Sequence, residues 1–140
     1  MRNKTYYISG KEQTDSFVIK LAKFITPGTI ILLNGDIGTG KTYICSKIAE
    51  NYGITNLSSS SFQRVSLHSG DTNIVHCDFY RSTFDYNFFC EEIEPLLYDP
   101  WILLLEWVKR EDNFPEIGQL LEIQISEKGG NNREIVFIKD

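Results

Sequence analysis

The segment Thr29–Thr42, "TIILLNGDIGTGKT", carries the pattern that decides the fold. Its first part, "TIILLN", is a nearly continuous apolar run, typical of a strand covered on both faces in a parallel sheet. The second part satisfies the spacing G-x-x-x-x-G-K-[ST] in full. Beyond it, Ile44, Ile48 and Tyr52 recur every fourth residue, and Gly53 suits the end of a helix. The order strand, glycine loop and helix predicts a phosphate-binding loop of the P-loop type.

The glycine loop, Gly35–Thr42, has the chemistry to hold a phosphate. Its glycines allow backbone N–H groups to turn inward around the phosphate, and the start of the following helix adds a partial positive charge. Lys41 supplies a cation for the β- and γ-phosphate oxygens, and Thr42 supplies a hydroxyl for Mg²⁺. The nucleotide-binding residues predicted in this region are Gly35, Asp36, Ile37, Gly38, Thr39, Gly40, Lys41, Thr42 and Tyr43.

A Mg²⁺–nucleotide site also needs a carboxylate, because Mg²⁺ takes oxygen ligands in a strict octahedron. Such a group commonly lies at the carboxyl end of a neighbouring buried strand, and two positions qualify: Asp78 after "NIVHC" and Glu106 after "WILLL". We rank Glu106 first, as a metal ligand or as the group that orients the attacking water, because its strand is the more apolar. Asp78 is expected beside it, in contact with the metal or its water. The alternative for each is an ordinary acid where a strand meets solvent.

The remaining patterns predict one α/β domain over residues 1–140. The predicted elements are a strand in Lys4–Ser9, a helix in Thr14–Ile25, two antiparallel strands in Phe62–His68 and Asn73–Asp78, a weak helix in 83–99, a buried strand from Trp101, and two strands in Leu120–Ile125 and Glu134–Ile138. We therefore expect a P-loop NTPase-like three-layer fold, with a mixed, mainly parallel central sheet and flanking helices.

The charge balance and the apolar runs limit the possible partners. The formal net charge is −5, so the totals do not suggest the basic surface that duplex binding requires, and any nucleic acid is expected to be met through a partner. No apolar run reaches the roughly 18 residues of a membrane-spanning helix, and the first residues lack a secretion signal. We expect a cytosolic protein with no membrane contact.

The cysteines and histidines do not suggest a metal site. Cys45, Cys77 and Cys90 are an odd number without C-x-x-C spacing, so we interpret them as reduced thiols, small and buried. His68 and His76 are interpreted as loop and strand packing residues, too isolated in sequence to form a metal pair.

Three further features remain open between a site and a structural role. The serine run Ser58–Ser61 follows the predicted helix where nucleotide switch loops lie, and the Ser61 hydroxyl is a candidate γ-phosphate sensor; a plain linker is the alternative. Arg81 is a candidate for neutralising phosphate charge or for a surface ion pair. Trp107 is a candidate wall of the site or a packing residue.

Four segments together resemble one known family. "NGDIGTGKT", "SSSSF", "HCDFYR" and "LLLEW" are similar to the forms GDLGAGKT, SPTF, H-x-D-x-Y-R and EW of the TsaE (YjeE) family, small bacterial P-loop ATPases of tRNA threonylcarbamoyladenosine biosynthesis. The resemblance covers nearly the whole chain. It departs at Ser60, which replaces a proline, at Tyr43, where a second threonine is common, and at Val108, which replaces a common proline.

The resemblance implies a set of roles and partners. It implies that Gly38–Thr42 bind the triphosphate of ATP, that Thr42 and Glu106 hold Mg²⁺, and that Asp78 supports hydrolysis. It also implies that Thr14 and Arg133 lie near the nucleotide. The implied partners are TsaD, which transfers the threonylcarbamoyl group to tRNA, and TsaB, which pairs with TsaD. The implied role of ATP hydrolysis is to reset that complex, with tRNA met only through it.

Two other functions fit the glycine loop. A small-molecule kinase of the P-loop class needs a lid of arginines, but the cations that follow the serine run are scattered. A nucleotide-gated adaptor would bind nucleotide without appreciable hydrolysis. A guanine-specific switch is less favoured, because no N-K-x-D sequence follows the loop.

Overall fold

The computed structural model describes residues 2–36, 38–57, 64–112 and 116–139, which form one α/β unit around a seven-stranded sheet. The strands are β1 (Arg2–Ser9), β2 (Thr29–Gly35), β3 (Val65–His68), β4 (Asn73–Asp78), β5 (Trp101–Glu106), β6 (Gln119–Glu127) and β7 (Asn132–Lys139). The helices are α1 (Gly10–Ala22), α2 (Lys41–Glu50) and the short α3 (Tyr86–Phe88), which continues into a π-helical turn (Phe89–Ile93) and a 3₁₀ turn (Glu94–Leu96).

The sheet is mixed, as the sequence predicts, with its parallel part at the centre. The strand order is β1-β7-β6-β2-β5-β4-β3. The neighbours β6-β2, β2-β5 and β5-β4 are parallel, whereas β1-β7, β7-β6 and β4-β3 are antiparallel. The strand before the glycine loop is therefore central, and the carboxyl ends of four parallel strands meet at one edge. Ligands of open α/β sheets bind at this kind of edge.

Two apolar layers hold the helices against the sheet. Along β2, Ile31 and Leu33 belong to the cluster beneath α1 and α2, whereas Ile30 and Leu32 belong to the cluster on the opposite face. The π-helical turn covers that second face, and its Phe89 is buried there. A buried aliphatic side chain contributes about 1.5–3 kcal/mol. The apolar run of β2 is continuous because the strand packs against an apolar layer on each of its two faces.

Some element boundaries differ from those the sequence predicts. Helix α1 begins at Gly10 rather than Thr14, because the chain turns directly from β1 at Gly10, where φ is 76°. It ends at Ala22, although Ile25 is still buried, in the turn that follows. The weak helical pattern of 83–99 is realised as three short turns, with a proline inside the last one. The part of the predicted strand that covers 62–63 lies outside the described residues.

Two smaller expectations bear on surfaces and thiols. All three cysteines are free, and Cys45 and Cys77 are buried while Cys90 is half-buried. In the described part of the chain, no helix combines the length and the apolar character needed to cross a membrane.

Candidate functional site

The glycine loop joins the carboxyl end of β2 to the start of α2. Gly40 precedes the helix with a φ of 100°, a left-handed conformation that strains any residue with a β-carbon. At Gly35 a β-carbon would lie 2.6 Å from the carbonyl oxygen of Ile125 on β6, so a larger residue does not fit. One glycine thus makes the turn, and the other permits close packing of β2 against β6.

Lys41 is the cation of the loop, and it is only 5% exposed. Its ammonium group donates to the carbonyl oxygens of Gly35 at 2.6 Å and Asp36 at 3.0 Å. It also lies 4.3 Å from the centre of the Trp107 ring. Burial lowers the pKa of Lys41, while the nearby carboxylates of Glu106 and Asp78 oppose that shift. The ammonium is therefore held at the loop by carbonyl oxygens and a ring face, groups that a phosphate can replace.

Glu106 lies directly against the start of α2. The Thr42 hydroxyl oxygen is 3.2 Å from each oxygen of the Glu106 carboxylate, which is only 2% exposed. Asp78 is the register partner of Glu106 on the neighbouring parallel strand β4, and it is half-buried. An acid this deeply buried is not a strand end that meets solvent, so that alternative is wrong for Glu106.

A cavity of about 250 Å³ opens over these groups. Its lining residues are Gly38, Gly40, Lys41, Thr42, Tyr43, Asp78, Tyr80, Glu106 and Trp107. Trp107 is half-buried with a φ of 68°, and its backbone N–H donates to the carbonyl of Leu33, which fixes the chain after β5. The Tyr80 and Trp107 rings are 5.1 Å apart. Trp107 therefore forms a wall of this cavity, one of the two roles that its position in the sequence leaves open.

The other open residue, Arg81, contacts the ring of Tyr80, which lines the cavity. Arg81 is exposed, has a φ of 62°, and its guanidinium lies 5.0 Å from the centre of the Tyr80 ring. Arg81 is not one of the described residues that line the cavity. The predicted residues Ile37 and Ser61, together with the departure at Ser60, lie outside the described residues, so their roles stay predictions.

A second cavity of about 250 Å³ also adjoins the loop. Its lining residues are Gly10, Lys11, Thr14, Thr39, Gly40, Tyr43, Asn131 and Arg133. The Arg133 guanidinium donates to the carbonyl oxygen of Thr39 at 3.3 Å, which ties β7 to the loop. The Tyr43 hydroxyl donates to Asp15 at 2.7 Å, and this bond is the main cause of a raised pKa of Tyr43. Thr14 and Arg133, distant in sequence, are thus brought to one side of the loop.

Sequence reasoning missed the contact between His76 and Glu106. The Nε2 atom of His76 is 2.6 Å from Oε2 of Glu106, and His76 is only 4% exposed. The signal was present in the alternation of β4, because His76 is two residues before Asp78 and therefore faces the same side of the sheet. This alternation predicts a contact with Glu106 only when β4 and β5 are known to be neighbours in the sheet.

The donor set fits a hard cation better than a soft one. Thr42, Asp78 and Glu106 offer hydroxyl and carboxylate oxygens, the ligands that Mg²⁺ prefers. Cys45, His76 and Glu106 also come within 4.8 Å of one another. However, burial is the largest cause that raises the pKa of the Cys45 thiol well above its usual value, which disfavours the thiolate that binds soft metals.

The fold and the loop together define a class of protein. A central parallel strand leads through a glycine loop into a helix at the carboxyl edge of a three-layer α/β sheet. This is the P-loop NTPase-like fold that the sequence predicts.

Within that class, the family described as "Threonylcarbamoyl adenosine biosynthesis protein TsaE" matches residues 8–135. The chain belongs to the TsaE family, and the resemblance seen in its motifs is confirmed. The family takes part in tRNA threonylcarbamoyladenosine biosynthesis.

Individual relatives agree with this assignment. The TsaE protein of Bacillus subtilis is 31% identical over 90% of this chain and 79% of its own length. That of Rickettsia bellii is 34% identical over 58% of this chain and 58% of its own length, so the match spans little more than half of that relative. The crystal structure of Bacillus subtilis YdiB superposes with a TM-score of 0.73 and 26% identity, covering 99% of this chain and 86% of that one.

Proposed function

We propose that this protein binds and hydrolyses ATP with Mg²⁺, as the ATPase component of the complex that makes threonylcarbamoyladenosine in tRNA. The observation that supports this proposal most strongly is the 3.2 Å approach of the Thr42 hydroxyl to the buried Glu106 carboxylate. A hydroxyl at the first turn after a glycine loop and an acid from a neighbouring strand are the pair that a Mg²⁺–nucleotide site requires.

Each residue has a part in the proposed reaction. Thr42 and Glu106 would hold Mg²⁺, which supplies positive charge to the phosphate oxygens when bound. Lys41 exchanges its carbonyl acceptors for phosphate oxygens, because an anionic acceptor binds an ammonium more strongly than a neutral one. Asp78, half-buried beside Glu106, accepts a proton from the attacking water and holds that water in place. Trp107, as a wall of the cavity, limits solvent access to the reacting phosphate.

The second cavity is assigned to the rest of the nucleotide. Thr14, Tyr43 and Arg133 line it together with Thr39 and Gly40 of the glycine loop. A nucleotide whose phosphates occupy the loop can place its sugar and base there. We propose ATP over GTP because of the family resemblance. The sequence agrees with this choice, since no guanine-reading N-K-x-D sequence follows the loop.

The proposed partners are TsaD and TsaB, and tRNA is met only through their complex. A net charge of −5 favours protein partners over direct duplex binding. In this proposal, ATP hydrolysis resets the complex between rounds of threonylcarbamoyl transfer.

The test is ATP turnover by the isolated protein and again with TsaB and TsaD added. We expect phosphate release that rises when the partners are present. Nucleotide-dependent complex formation without phosphate release would replace the ATPase by a nucleotide-gated adaptor. A phosphorylated small molecule as product would replace it by a kinase.

A further inference from the structure

A buried histidine holds one oxygen of the Glu106 carboxylate, although it lies outside the cavity itself. Nε2 of His76 is 2.6 Å from Oε2 of Glu106, and both side chains are almost fully buried, at 4% and 3% exposure. His76 is not among the residues that line the cavity over the glycine loop. It therefore acts on the site only through the carboxylate that it touches.

The other donors to this carboxylate are weaker. The Thr42 hydroxyl is 3.2 Å from both carboxylate oxygens. The Cys45 thiol is 3.9 Å from Oε2, and a thiol is a weak donor. A distance of 3.2 Å is longer than the usual O–H···O hydrogen bond, so the Thr42 hydroxyl holds neither carboxylate oxygen closely. Within the described part of the chain, His76 is then the strong donor to this carboxylate, and a buried carboxylate needs one.

His76 is itself fixed by the sheet. It lies in β4, where its register partners are Ser66 on β3 and Leu104 on β5. The Ser66 hydroxyl donates to the His76 carbonyl oxygen at 3.4 Å. A strand paired on both sides allows little movement of the backbone, so the imidazole is a rigid donor.

We propose that His76 is a positioning residue: its Nε2–H bond holds the Glu106 carboxylate so that the other oxygen, Oε1, is presented beside Thr42 for the metal. The last torsion of a glutamate side chain is broad, so a carboxylate without such a bond samples a range of orientations. Holding it removes the cost of ordering it when the cation binds. This inference rests on the proposed function, because it needs a metal–nucleotide complex at Glu106.

The experiment is a titration with Mn²⁺, which replaces Mg²⁺ and is detected by electron paramagnetic resonance. The protein is first loaded with a non-hydrolysable ATP analogue, and the affinity for Mn²⁺ is then measured. Three variants are compared with the parent: His76→Leu, which removes the donor, His76→Gln, whose amide N–H reaches a similar point, and His68→Leu, a matched control. His68 lies on the adjacent strand β3 and is bonded to Ser66 at 3.1 Å.

We expect His76→Leu to weaken Mn²⁺ binding about 10- to 100-fold, the usual effect of losing a hydrogen bond to a metal ligand. His76→Gln should recover most of that loss, and His68→Leu should bind Mn²⁺ as the parent does. Binding of the analogue in EDTA should be the same in all four proteins. If His76→Leu does not fold, His76→Met, whose flexible side chain fills irregular spaces, takes its place.

Four results would overturn the inference, three of them without affecting the proposed function. Parental Mn²⁺ affinity in folded His76→Leu, or equal weakening in His76→Gln, would assign His76 a packing role only and leave the proposed function intact. Failure of the parent protein itself to bind Mn²⁺ with the nucleotide would remove the proposed function, and the inference with it. A fall in thermal stability without a change in Mn²⁺ affinity counts against positioning.

Discussion

Replacing Lys41 by methionine should separate nucleotide binding from folding stability. The ammonium of Lys41 is almost wholly buried, at 5% exposure, and it donates to the carbonyl oxygens of Gly35 and Asp36. Methionine keeps the unbranched apolar chain and removes the charge. The substitution therefore tests the cation without opening a large cavity.

The loss of affinity follows from charge and hydrogen bonds. Two unit charges about 4 Å apart attract by about 4 kcal/mol at an effective permittivity of 20, so two phosphate oxygens give about 8 kcal/mol. The two carbonyl bonds that Lys41 gives up offset about 3–6 kcal/mol of this. The net loss of about 2–5 kcal/mol corresponds to a Kd that is roughly 30- to 4000-fold weaker. Titration calorimetry with an ATP analogue and Mg²⁺ measures it.

The folding stability should not fall with the affinity. Burial lowers the pKa of Lys41, so the folded protein disfavours the charged form relative to water. Methionine removes that cost together with the two hydrogen bonds, and we expect an unchanged or higher Tm. A Tm lower by more than about 5 °C would mean that the ammonium stabilises the fold by about 1 kcal/mol or more, contrary to this reasoning. Lys47→Met removes a half-buried cation of α2 that pairs with Glu50 at 3.2 Å; it is the matched control and should bind nucleotide normally.

Other substitutions probe the remaining parts of the site. Glu106→Gln keeps the shape and removes the metal-binding charge, so single-turnover assays should give ATP binding with hydrolysis slowed about tenfold or more; parental turnover would exclude this role. The Lys41 ammonium lies 4.3 Å from the centre of the Trp107 ring, so nucleotide binding, which moves the ammonium to phosphate, should change the fluorescence of Trp107. The same change in Trp107→Phe would assign the signal to the second tryptophan instead. Maleimide at pH 8 should label half-buried Cys90 first, because burial raises the pKa of Cys45 and Cys77; equal labelling of all three thiols in the native protein would contradict their burial.

The chemistry of the glycine loop could be predicted because it depends on neighbouring residues. Gly40, Lys41 and Thr42 are adjacent, and their spacing alone sets the turn, the cation and the hydroxyl around one point. The apolar run before them predicts a strand with two covered faces, and β2 is buried at its first five positions. Local backbone geometry and burial decide these features, so short patterns in the sequence report them.

Element boundaries were less well predicted where packing outweighs local pattern. Ile25 extends the four-residue periodicity of α1, yet it is buried from the turn after the helix. The segment that contains Phe89 has only a weak helical pattern, and its short turns are stabilised by burial against the second face of the sheet.

The amino-acid sequence therefore sets the phosphate-binding turn and names two acids as candidates, because these depend on residues that are neighbours in the chain. The meeting of Glu106 with Thr42 and His76 depends on strand order. Residues 42, 76 and 106 share no local pattern, and they come together only because β4 and β5 are parallel neighbours and the start of α2 lies against the end of β5. Hydrogen bonding between strands that are distant in sequence determines this arrangement, so no short stretch of sequence predicts it.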